Sequence, residues 1–79
     1  MKLFMYFGTE IIENDQYSII NHNNYILVNT INGRDKWIHI YINDFYNFLP
    51  INTFADILNY TDDQLNKAID KFLQLKVFL

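Results

Sequence analysis

Residues 25–42 read YILVNTINGRDKWIHIYI, two apolar β-rich runs on either side of an Asn32-Gly33 pair. An Asn-Gly pair between alternating apolar residues is the strongest short-range hairpin signal. The expected register follows a two- or four-residue loop. It places Tyr25, Leu27, Ile31, Ile38, Ile40 and Ile42 on one face and Ile26, Val28, Trp37, His39 and Tyr41 on the other. Both faces are apolar, and a chain of 79 residues has little material with which to cover two. The aliphatic face is therefore expected to receive the helices. The face of Ile26, Val28, Trp37, His39 and Tyr41 is left for a protein partner, because large aromatics with polar tips are enriched at interface hot spots.

Working outward toward the N-terminus, period-two patterning continues. Leu3 to Phe7, extended toward Ile12, reads as one strand with Gly8 as a bulge or bend. The Glu13-Asn14-Asp15-Gln16 turn leads to a short strand at residues 17–20, and Asn21-His22-Asn23-Asn24 turns the chain into the hairpin. Connections this short favour an antiparallel meander of about four strands.

After Ile42 the period changes to 3.6. Asn43 is expected to cap a short helix carrying Phe45, Phe48 and Leu49, stopped before Pro50. A second short helix spans about residues 53–60, with Thr53 and Asp56 at capping spacing. The third and longest carries a Thr61/Gln64 capping box, with Asp62 and Asp63 at the positive end of its dipole and Lys71 and Lys76 toward the other. Its apolar side is Leu65, Ala68, Ile69, Phe72, Leu73 and Leu75; Asn66, Lys67, Asp70 and Gln74 lie opposite. The tail Val77-Phe78-Leu79 is expected to be tied down as a last helical turn or an edge strand. The fold class is thus α+β, one domain over residues 1–79, with a sheet part (1–42) and a helical part (43–79) packed on one sheet face.

Composition narrows the function classes. With 51% hydrophobic and 19% charged residues the chain is too apolar for disorder, and without cysteine it has neither disulfides nor thiolate metal sites. The N-terminal apolar run is too short for a signal sequence or membrane span, so a cytoplasmic protein is expected, and the Asn59-Tyr60-Thr61 sequon carries no weight. His22 and His39 stand without a catalytic constellation, a glycine-rich phosphate loop or ligand spacing for a metal. No enzyme activity, cofactor or metal is expected.

The helices at 53–60 and 61–76 beside a hairpin resemble a winged helix only in outline. The last helix is charge-neutral and the chain carries a net charge of −3, so direct nucleic-acid binding is not expected. Glu10, Glu13 and Asp15 are too few to imitate a phosphate ladder. Eleven Asn and twelve Ile against two Gly and one Pro point to A+T-rich coding. A small acidic chain of this kind fits a non-enzymatic interaction module, such as a phage- or mobile-element-encoded stoichiometric inhibitor of a host defence or nucleic-acid-processing complex, anti-CRISPR-like. The alternatives are a homodimeric structural or regulatory protein and a winged-helix-like regulator.

Overall fold

The computed structural model describes residues 1–31 and 38–77. Five strands form one antiparallel meander in the order of the chain: β1 (Lys2–Tyr6), β2 (Thr9–Glu13), β3 (Tyr17–Asn21), β4 (Tyr25–Thr30) and β5 (Ile38–Tyr41). Helix α1 (Ile42–Phe48), a 3₁₀ helix (Phe54–Asn59) and helix α2 (Asp62–Val77) follow, so the fold is α+β.

The fifth strand comes from the N-terminal segment, which is a hairpin where one bent strand was expected. Tyr6 pairs with Thr9, and Phe7 and Gly8 both take positive φ, 50° and 80°, the signature of a type I′ turn. The turn at residues 14–17 follows the expected chemistry, because the Asn14 carboxamide oxygen accepts the amides of Gln16 (2.9 Å) and Tyr17 (2.7 Å).

One row of directly paired residues, Leu3, Ile12, Ile19, Val28 and Ile38, crosses the whole sheet on the face that the helices cover. Ile12, Ile19 and Val28 are completely buried, as are Ile26 beside them and Ile57 and Leu65 from the helical half. Tyr17, Ile40, Phe45, Leu49, Ile51, Phe54 and Ile69 complete this core, with Phe72 packed partly buried at its margin against Phe48.

The helix ends show which local signals acted. Thr61 and Gln64 form the expected reciprocal box: the Thr61 amide donates to Gln64 Oε1 (3.0 Å) and the Gln64 amide to Thr61 Oγ1 (3.1 Å). Asp56 accepts the amides of Asn52 and Thr53, both at 3.0 Å, and this holds its carboxyl below the usual range. Asn43 does not cap α1; the N-cap is Tyr41, without a side-chain bond, because the chain passes directly from β5 into the helix. Leu49 is extended (φ −99°, ψ 110°) ahead of Pro50, so α1 stops there.

Asn66 and Asp70 do not face away from the sheet as the helical pattern suggested. The Asn14 carboxamide donates to Asn66 Oδ1 (2.8 Å), Asn66 donates to Asp15 (3.1 Å), and the Tyr17 hydroxyl donates to Asp70. These bonds tie α2 to the β2–β3 turn. Burial, followed by the bond to Asp70, pushes the Tyr17 hydroxyl up to about 12.

Candidate interaction surface

The β4–β5 register overturns the expected division of faces. Tyr25 pairs with Tyr41, Ile26 with Ile40, Leu27 with His39 and Val28 with Ile38. Directly paired residues share a face, so Ile26 and Val28 belong with Ile38 and Ile40, and all but the half-buried Ile38 are essentially without exposure. Ile26 and Val28 are core residues and are removed from the interaction surface. His39 and Tyr41 lie on the opposite face, with Tyr25 and Leu27, and both are exposed. Trp37 and the Asn32-Gly33 pair lie outside the described residues.

The physical reason is segregation. The observed register collects the β-branched aliphatics of both strands under the helices. It leaves the aromatic and imidazole groups, whose polar tips would need buried partners, on the other side. The register expected from the turn would have mixed the two kinds on each face.

The open face is organised in rows. Phe4, Ile11, Ile20, Leu27 and His39 are successive partners across all five strands, and the four apolar members are half-buried. None of the four belongs to the core under the helices. Lys2 and Glu13 pair at one end of this face, and the Lys2 ammonium stands 5.7 Å from the Phe4 ring centroid.

Toward the other end, four rings form a ladder. His22 stacks on Tyr25 (centroids 4.9 Å, 19°), Tyr25 on His39 (4.2 Å, 23°), and His39 meets Tyr41 edge-on (5.3 Å, 86°). The turn that delivers His22 has Asn23 at φ 68°, a conformation asparagine tolerates, with the Asn23 amide bound to Asn21 Oδ1 (2.9 Å). At the far corner the β1–β2 hairpin carries Tyr6 and Phe7, which are 62% and 91% exposed and in edge contact at 4.6 Å, while the exposed Met5 lies on the side of its partner Glu10.

Chemically, this surface offers apolar burial, ring stacking and hydroxyl or imidazole hydrogen bonds. The groups with displaced titration, Tyr17, Tyr46 and Asp56, owe it to burial and helix capping on the covered side. Glu10, Glu13 and Asp15 do not form an acidic cluster: Glu10 accepts from Asn21 (3.1 Å), Asp15 from Asn66, and Glu13 stands on the open face. Among the described residues, no three His, Asp or Glu side chains are grouped to hold a metal, and no helix is long and apolar enough to cross a membrane.

Sequence reasoning missed Phe4, Ile11, Ile20, Leu27 and Tyr25 as surface residues. A signal was present: the doublets Ile11-Ile12 and Ile19-Ile20 put an apolar side chain on each face of β2 and β3, and only one can point at the helices. Compared with known proteins, the chain matches no family model, no curated protein and no solved structure.

Proposed function

We propose that this protein is a non-enzymatic interaction module that acts stoichiometrically, docking another protein chain on the open face of its sheet. The observation that carries the reading is the row Phe4–Ile11–Ile20–Leu27 with the His22–Tyr25–His39–Tyr41 ladder beside it, an apolar and aromatic surface outside the core. Small soluble domains rarely leave such a contiguous patch to water unless it binds something. A protein suits it better than a nucleic acid, because the net charge is −3 and Lys2 on this face is offset by Glu13. Small size, acidity and A+T-rich coding fit a cytoplasmic inhibitor made by a phage or mobile element against a host defence or nucleic-acid-processing complex, in the manner of anti-CRISPR proteins.

Site-specific photo-crosslinking in the producing cell tests this. A photoreactive residue at Leu27 or Tyr41 should give a protein adduct of defined mass, whereas one at the exposed Asn47 on α1 should not. Equal labelling at all three positions, or none at Leu27 and Tyr41, refutes the reading.

A further inference from the structure

We infer that the occupant of the open face is a second copy of this chain, the two sheets stacking face to face about a two-fold axis. The inference rests on the docking surface proposed above and takes the homodimeric alternative for it, a second copy in place of a host protein. The first argument is composition. The covered row reads Leu3, Ile12, Ile19, Val28, Ile38, and the row directly behind it reads Phe4, Ile11, Ile20, Leu27. These two central rows are built of the same material, yet among the described residues one has a layer of helices and the other has none. Interfaces that resemble a domain core cut in half are characteristic of permanent, self-assembled dimers, whereas transient contacts between different proteins are no more apolar than ordinary surface.

Charge supplies the second argument. The molecule is acidic, and two copies meeting through an acidic surface would repel. Among the described acidic residues, however, Asp15 and Asp70 are bonded at the α2 clamp, Asp56 caps the 3₁₀ helix, Glu10 bonds Asn21 on the covered side, Asp44 lies in the first turn of α1, and Asp62 and Asp63 at the start of α2 pair with the N-terminal ammonium and Lys67. Glu13 is on the open face, where its register partner is Lys2, so among the described residues the lysine and carboxylate charges of this face balance. A neutral apolar face is complementary to itself. It lacks the charge asymmetry by which a different partner is steered and selected.

Area is the third. Five strands of about five residues make a face of about 24 by 17 Å, roughly 400 Å² in projection. Side-chain relief brings this to ~600 Å² of accessible surface per copy, so a pair removes ~1,200 Å², the lower bound for specific, stable association. The whole face must therefore be used, which favours sheet-on-sheet stacking over an edge or corner contact.

Sedimentation equilibrium on the purified chain over about 1–300 µM decides the matter. The expected result is a species of twice the 9.6 kDa chain mass. Leu27→Lys, which sets an ammonium in the middle of the stacked rows in both copies, should raise the dissociation constant at least ~100-fold. Circular dichroism confirms that the variant is folded, and Leu27→Thr, milder and β-compatible, should shift the equilibrium in the same direction. A wild type that sediments at the single-chain mass throughout overturns the inference, as does a folded Leu27→Lys that remains dimeric. A monomeric wild type whose Tyr41 photo-adduct contains a different protein removes the second copy but keeps the docking surface. A monomer without adducts at either position removes both.

Discussion

Phe7→Asn should make this protein more stable, although it removes an aromatic side chain. Phe7 and Gly8 are the two loop residues of the β1–β2 hairpin, at φ 50° and 80°. The left-handed region brings Cβ against the following carbonyl and costs a residue such as phenylalanine roughly 1–2 kcal/mol, while asparagine enters it more readily. Against this gain stands what the ring contributes. Phe7 is 91% exposed, so burial is negligible, and its edge contact with Tyr6 is worth about 0.5 kcal/mol at an exposed site. The balance is a stabilisation of about 0.5–1 kcal/mol, which in a domain of this size raises Tm by about 2–8 °C. Thermal unfolding followed by circular dichroism measures it, with both proteins at one concentration because self-association shifts Tm by mass action. Gly8→Ala is the counterpart: the space around a Cβ there is empty, so its cost, about 1 kcal/mol, is purely the positive φ. A Tm lowered by about 2 °C or more in Phe7→Asn refutes the reasoning, since it means the ring is anchored to something that stabilises the fold.

Ile69→Ala, on the buried side of α2, should cost about 2–5 kcal/mol in urea unfolding and consume much of the stability of so small a domain; a loss under ~1 kcal/mol means α2 does not close the core. Tyr17→Phe should cost about 1–2 kcal/mol by removing the bond to Asp70. Its pH signature is specific. The folded hydroxyl holds its proton to about 12 against 10.0 unfolded, so stability is complete below pH 10 and declines toward pH 12, and the variant should have a shallower alkaline limb. Asp56 shows the opposite sign: its lowered pKa stabilises the fold above the ordinary value of 3.8, and that contribution is lost as pH falls. Asp56→Asn should therefore flatten the acid limb of the stability profile, and an unchanged limb refutes the capping role.

Much of the architecture is legible because its signals are local. Short polar clusters between period-two runs read as antiparallel connections, and the strand starting at Tyr17, the hairpin strands and all three helical segments lie where the pattern puts them. The Thr61/Gln64 box is a contact between residues three apart in the chain, so it is visible before any tertiary structure exists. Phe7-Gly8 was readable only as an irregularity, because phenylalanine is a rare occupant of the first position of a type I′ turn and its presence conceals the hairpin.

The surface residues were less legible. The strand pattern puts His39 and Tyr41 on an outward face, and both are exposed, but it groups Ile26 and Val28 with them, and these are core. The Asn-Gly pair specifies that the chain turns; it does not specify how many residues the loop holds, and one residue more or less exchanges the two faces of one strand. The polar clamp of Asn66 and Asp70 was likewise hidden, because amphipathic periodicity reports which side of a helix is apolar and nothing about a turn fifty residues away.

The sequence by itself determined, then, that this chain is α+β, that its first half is a meander and that its last helix is capped by Thr61, all through contacts between near neighbours. The tertiary structure alone decided which side of the sheet meets the helices. That choice is made collectively: Ile12, Ile19, Ile26, Val28 and Ile40 can be buried together in one register only, and burying them leaves Phe4, Ile11, Ile20, Leu27 and the ring ladder on the far side.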